Sequence, residues 1–174
     1  MEYTFTLRYR LSDTASNVDD LIERLGAEGC TDAVVGTGQA GRLALEFTRE
    51  ASSAQAALRS ALSDVRRAIG PAKLVEAGPD FVGLTDIADV VGVSRQGMRK
   101  LMITHSATFP VPVHEGTTSL WHLVDVLRWM TAKGGYDLAQ SVVETAQAAQ
   151  EINLAKGALQ LSAKSARELK LLVA

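Results

Sequence analysis

The sequence predicts an α+β chain in three consecutive parts: a mixed strand–helix unit over residues 1–78, a unit of short helices over 81–133, and a helical tail over 136–174. Three observations carry this. Residues 3–10 and 42–48 alternate apolar and polar side chains with period two, as half-buried strands do, whereas 18–25 and 54–69 repeat their apolar positions at helical spacing. Gly78-Pro79-Asp80 and Gly134-Gly135 punctuate the chain at the two boundaries. Beyond the second boundary the chain is rich in Ala, Gln and Leu and has no proline, which favours helix.

In the first strand Tyr3, Phe5, Leu7 and Tyr9 share one face. Ser16 is the expected N-cap of the next helix, where Val18, Leu21, Ile22 and Leu25 form the apolar face, acids crowd the first turn, and Gly26 or Gly29 ends it. Residues 31–36 read as a short strand, and Leu43, Leu45 and Phe47 line one face of the strand after it. Ser52 or Ser53 opens a helix through Ala54, Ala57, Leu58, Ala61, Leu62, Val65 and Ile69, stopped by Gly70-Pro71, and residues 72–77 return as a strand. The order β-α-β-β-α-β suits a ferredoxin-like sheet with both helices on one face.

The second unit starts with a short helix over Leu84–Val91, a turn at Gly92-Val93, and a second helix from Ser94 to about Thr104. Residues 108–121 read as an extended hairpin with Gly116 near its tip, and His122 to Lys133 as a third helix presenting Leu123, Val126, Leu127 and Met130. In the tail, Leu138, Val142, Ala149 and Ile152 make an apolar stripe that Leu159, Leu169 and Leu172 continue, with Gly157 as the expected divide between two helices. A stripe of this kind must be buried. Dimerisation is the expected means, and packing back on the same chain is the other.

Composition narrows the function classes. A chain of 174 residues suits one or two small domains. Hydrophobic residues make up 47% but aromatics only 5%, so the cores must rest on Leu, Val, Ile and Ala. No apolar run approaches the ~20 residues that span a membrane, and the opening MEYTFTLRYR lacks the apolar core of a signal peptide. A soluble, cytoplasmic protein is expected. Cys30 is the only cysteine, which excludes an internal disulfide and a cysteine-built zinc site; it reads as a small buried hydrophobe. His105, His114 and His122 do not fall at the spacing of a metal motif, so neither metal nor cofactor is expected. Neither a nucleophile–base arrangement nor a framed carboxylate pair stands out. His122 and Asp125, three residues apart, read as solvated polar residues on one helix face, and the expectation is that the chain is not an enzyme.

Gly36-Thr37-Gly38-Gln39-Ala40-Gly41 matches the dinucleotide pattern G-x-G-x-x-G after a strand. That pattern needs a helix next, with its N-terminus at the pyrophosphate. Here RLALEFT follows and alternates like a strand, so the glycines read as a hairpin loop needing positive φ.

The formal net charge is −2 but it is unevenly placed. Residues 1–80 hold nine Lys+Arg against twelve Asp+Glu, 81–133 five against four, and 134–174 four against four. Within Ser94–Thr104 stand Arg95, Arg99 and Lys100 and no acid. Phosphate binding depends on where cations sit rather than on the chain total. In GLTDIADVVGVSRQGMRKLM, Thr85 is a natural N-cap followed by Asp86; Ile87, Ala88 and Val91 face inward; Gly92 permits the turn; Val93 plugs it. Ser94 caps the second helix, and Met98, Leu101 and Met102 bury. Arg95, Gln96, Arg99 and Lys100 are left outward or at the entry end, the residue types that read base edges: Arg can form two bonds to guanine and Gln two to adenine. Gly97 adds no bulk beside them, and the capped helix start offers free N–H groups to a phosphate.

This stretch resembles the winged helix-turn-helix of excisionase, AlpA-like and MerR-type regulators over about residues 81–130. Phe109-Pro110 and Pro112-Val113 match the strand after the helix-turn-helix, Gly116 the hairpin, Trp121 the residue after it, and Val124-Asp125-Val126 with Trp129 the closing helix. The resemblance implies double-stranded DNA as partner, with Ser94, Arg95, Gln96, Arg99 and Lys100 meeting the major groove. It places His114 and Thr117 or Thr118 along the backbone or minor groove, and Trp121 and Trp129 in the core. With Thr85 and Gly97 these complete the candidate DNA-binding set. Such wings are often basic, whereas this one offers His114, Glu115 and two threonines. One winged unit contacts few base pairs, so a homodimeric bacterial repressor or autorepressor reading two half-sites is expected. The other readings are an excisionase-like recombination accessory protein and a ligand-sensing or interaction module. No residue cluster names a small-molecule effector.

Overall fold

The computed structural model describes residues 1–12 and 17–173. Among them it is an α+β structure with seven helices and a small antiparallel sheet. The sheet has β1 (Glu2–Arg10), β2 (Ala33–Gly36), β3 (Arg42–Glu50) and β4 (Lys73–Gly78), in the spatial order β2-β3-β1-β4 with every neighbouring pair antiparallel. Helices α1 (Val18–Ala27) and α2 (Ala54–Ile69) supply the crossovers. Period-two alternation places Tyr3, Phe5, Leu7 and Tyr9 of β1 and Leu43, Leu45 and Phe47 of β3 in one buried cluster with Leu21, Leu25, Leu58 and Val65 of the helices. Both helices therefore cover one face. Phe5 and Phe47 stack at its centre, ring centroids 5.2 Å apart.

Helix starts follow local chemistry. Ser53 accepts a hydrogen bond from the backbone N–H of Ala56 and caps α2. Asn17, not Ser16, caps α1, its side chain accepting from Asp19 N; Ser16 lies outside the described residues. Of the three glycines in the Gly36–Gly41 loop only Gly41 takes positive φ, so the expectation of a hairpin loop needing positive φ holds at one position. The residue that closes this unit is Arg49. It continues the inward parity of β3 and lies 9% exposed, bonded to both Asp32 oxygens, Asp64, Ser60 and the Gly29 carbonyl. Its guanidinium holds the Asp32 carboxyl below its ordinary range.

The second unit begins with β5 (Phe81–Val82), followed by α3 (Leu84–Val91), α4 (Arg95–Thr104), β6 (Trp121–His122) and α5 (Leu123–Lys133). Strands β5 and β6 pair antiparallel, a contact the sequence pattern had not indicated. The expected 108–121 hairpin is reduced to one bridge, His114 to Leu120. Pro110 and Pro112 have no N–H to donate to a ladder, which explains the irregular segment. It is held by its aromatics instead: Trp121 donates to the Pro110 carbonyl at 3.0 Å, and Phe109 packs edge-on to Trp121 and Trp129. The third helix starts at Leu123, with His122 at its cap position.

The tail forms α6 (Gln140–Ala158) and α7 (Ala163–Val173). Gly157 lies inside α6 rather than dividing the segment; the break falls after Ala158. Helix α6 packs back on its own chain. Ala148 and Ala149 join the first cluster and Ala146 the second, so one helix serves both cores. Small side chains at those positions let it come close. Asn153 is buried and clasps the backbone of Ala77, accepting from its N–H at 2.9 Å and donating to its carbonyl at 2.8 Å, while also donating to Asp80 at 2.8 Å. The other Asp80 oxygen lies 2.6 Å from His122 Nδ1. His122 is thus an interior partner of a fully enclosed carboxylate, not the solvated residue expected, and its partner is Asp80 rather than the Asp125 beside it. Helix α7 buries none of its residues, and no described helix is long and apolar enough to cross a membrane.

Candidate nucleic-acid interface

Helices α3 and α4 are joined by a turn whose geometry is local. Gly92 takes φ 75°, ending α3 in the left-handed conformation that L-residues resist, and the Val93 N–H returns to the Ala88 carbonyl at 2.9 Å. Ile87, Ala88 and Met98 are buried between the helices, with Leu101 and Met102 half-buried against them. This packing fixes which side of α4 faces out. Arg95, Gln96, Arg99 and Lys100 are all exposed.

The candidate residues divide into two groups. An open groove of about 1100 Å³ runs between the start of α3, the outer face of α4 and the 109–119 segment. Thr85, Arg95, Gln96, Arg99, Thr117 and Thr118 all line it, so residues more than thirty positions apart meet around one space. Ser94, Gly97, Lys100 and His114 are not among its lining. Ser94 spends its hydroxyl on the Gly97 N–H at 3.0 Å, capping α4, and a Cβ at position 97 would sit 3.2 Å from that hydroxyl. Gly97 thus leaves room for the cap. Gly97 and Lys100 line a smaller recess of about 310 Å³ on the other flank of α4 with Val93, Leu101, His105 and Tyr136. His114 lies beside the tip with its ring over Gly116. Thr85 is not the N-cap expected. That position belongs to Gly83, whose N–H is accepted by Asp86 at 2.8 Å, leaving the Thr85 side chain on the groove.

Sequence reasoning missed part of the lining. Met102, Ile103, Val111 and Glu115 also face the groove, and Ile103 and Val111 are 59% and 83% exposed. Apolar side chains left outside at a helix edge and between two prolines were the available signal. Among the described residues no carboxylate pairs with Arg95, Arg99 or Lys100. The N–H groups of Arg95 and Gln96 start α4 and have no acceptor within the helix by its geometry. The arrangement therefore presents cations, an amide, hydroxyls and the positive end of a helix dipole to one concave surface, with the Asp86 and Glu115 carboxylates also on its lining, suited to an anionic and hydrogen-bonding partner met on the α4 side. Comparison with family models, curated proteins and solved structures gives no match to this chain.

Proposed function

We propose that the chain is a non-enzymatic, sequence-specific double-stranded DNA-binding protein that regulates transcription as a homodimer. In this reading residues 1–78 form a ferredoxin-like domain, and residues 81–133 form a winged helix-turn-helix whose α4 enters the major groove with the 108–121 segment as wing. The observation that carries it is the groove where Arg95, Gln96 and Arg99 face Thr117 and Thr118. Arg and Gln on an exposed helix can bond base edges bidentately, while threonine hydroxyls suit phosphate oxygens. With no Lys or Arg between residues 101 and 127, phosphate attraction falls on α4. One copy would bind weakly, and two copies would read half-sites ~34–36 Å apart.

The test is selection from random duplexes followed by titration of the winning site. Arg95→Ala and Arg99→Ala should each cost about 1–3 kcal/mol, relax one base position, and lower the salt slope by about one where a phosphate is also lost. Unchanged specific binding in both variants refutes the assignment of α4. A palindromic winner supports the dimer.

A further inference from the structure

The sheet has a second face that no described element covers. On β1 it presents Glu2, Thr4, Thr6, Arg8 and Arg10, and on β3 Arg42, Ala44, Glu46, Thr48 and Glu50. Pairing register sorts these charges by end. Arg10 stands directly opposite Arg42 on one side and Lys73 of β4 on the other, giving a row of three cations. Eight residues along β1, about 27 Å away at strand rise, Glu2 stands opposite Glu50. Like charges directly opposite on neighbouring strands destabilise a sheet, and here both ends carry that cost. Among the described residues Arg8 is the one cation of this face with an acid partner, Glu76 at 3.4 Å. The middle of β1 is small, Thr4 and Thr6, and on β3 the small Ala44 and Thr48 flank a central Glu46. Glu46 lies on the diagonal from Arg8.

We infer that this face is the contact between two copies of the chain, stacked face to face with strands antiparallel about a two-fold axis near Thr6. That axis carries the Arg10 row of one copy over the Glu2 end of the other, and the reverse at the opposite end, so a single partner relieves both like-charge rows. An anionic ligand would relieve only one. The small Thr4, Thr6, Ala44 and Thr48 let the sheets approach around Glu46, which stands opposite Thr6 at the axis on the diagonal from Arg8, and side chains as long as Arg and Glu span the ~10 Å between stacked sheets. A C2 interface must be self-complementary, and a face acidic at one end and basic at the other meets that condition. The inference names the interface of the homodimer proposed above and is read without DNA, so it can fail while DNA reading stands.

The experiment is a charge swap followed by sedimentation of the full chain. One variant carries Arg10→Glu with Arg42→Glu, the other Glu2→Arg with Glu50→Arg. All four sites are exposed, and circular dichroism checks the fold. The native chain should be dimeric at low salt and its dissociation constant should rise on the order of tenfold between about 0.1 M and 1 M salt, as the Debye length falls from ~10 to ~3 Å. Each variant alone should be monomeric, because its two ends then carry the same net sign, Lys73 being outnumbered in the Arg10→Glu, Arg42→Glu row. An equimolar mixture should dimerise again. A monomeric native chain, or variants as dimeric as the native, overturns the inference. So does a dimer indifferent to the swap but lost in Leu169→Glu with Leu172→Glu, which would put the contact on α7. Should a swap variant fail to fold, Arg10→Gln with Arg42→Gln and Glu2→Gln with Glu50→Gln replace it, and an unchanged dimer in both refutes the assignment.

Discussion

Replacing Asn153 with Ala removes one side chain that serves three partners. Its amide accepts from Ala77 N–H and donates to Ala77 C=O and to an Asp80 oxygen, at 2.8–2.9 Å. The site is interior: Asn153 is 6% exposed, Ala77 0% and Asp80 1%. A buried donor or acceptor left without a partner costs ~1–3 kcal/mol, more when charged. Three such groups set an upper range, and a water entering the space left by the amide would return part of it. The expected loss is about 3–5 kcal/mol, a large share of the ~5–15 kcal/mol typical of a folded protein. Asn153→Asp should be worse at neutral pH, since it keeps one acceptor, loses both donated bonds and sets a second carboxylate against Asp80. Urea denaturation followed by circular dichroism and by tryptophan fluorescence separates the parts, because both tryptophans, Trp121 and Trp129, lie in the second unit. In the native chain the two signals should coincide. In Asn153→Ala they should diverge, since α6 is then less firmly held between the cores. A loss below about 1 kcal/mol with coincident transitions would refute the role given to this clasp.

Arg49→Met should cost about 2–4 kcal/mol by stranding Asp32 and leaving Asp64 with Arg67 as its remaining cation; the two carboxylates are 28% and 17% exposed and so keep part of their hydration. Asp32 has a folded pKa below its unfolded one, chiefly through its hydrogen bond from Arg49; its stabilisation is full above the ordinary carboxylate range and is lost as pH falls through the folded value. Acid titration of stability should therefore flatten in Arg49→Met, and an unchanged acid limb would argue against the network. The Cys30 thiol, pushed up to about 11 mainly by burial, should react with a thiol reagent at pH 8 only at the rate of local opening; rapid labelling of the folded chain would contradict its place in the core. Gly92→Ala meets nothing within 4 Å, so its cost should be purely conformational, about 1 kcal/mol for a non-glycine residue at φ 75°; a loss above about 3 kcal/mol would point to a contact not accounted for.

Much of the local structure was legible because its causes are local. The alternation in β1 and β3 assigns each side chain to a face, since successive Cβ atoms point oppositely. Ser53 and Ser94 cap their helices because a hydroxyl one residue before a helix reaches an N–H three residues on. The outward set on α4 follows once Met98, Leu101 and Met102 are buried at helical spacing. The buried Arg49 lay half in view: it shares the parity of Leu43, Leu45 and Phe47, but the acids that make its burial tolerable come from the turn before β2 and from α2. The 108–121 hairpin is less regular than its sequence suggests, because two prolines that look extended have no N–H to give a ladder.

The sequence by itself determined the faces, the caps and the order of elements, all set by interactions within a few residues. Only the tertiary structure decided which candidate residues share the groove, that His122 pairs with Asp80 forty-two residues away, and that α6 lies between two cores instead of standing free. The sorting of charge across the open sheet face belongs to the same class. In each case the partners are brought together by closure of the chain over tens of residues, and helical or strand periodicity carries no record of which distant element completes a contact.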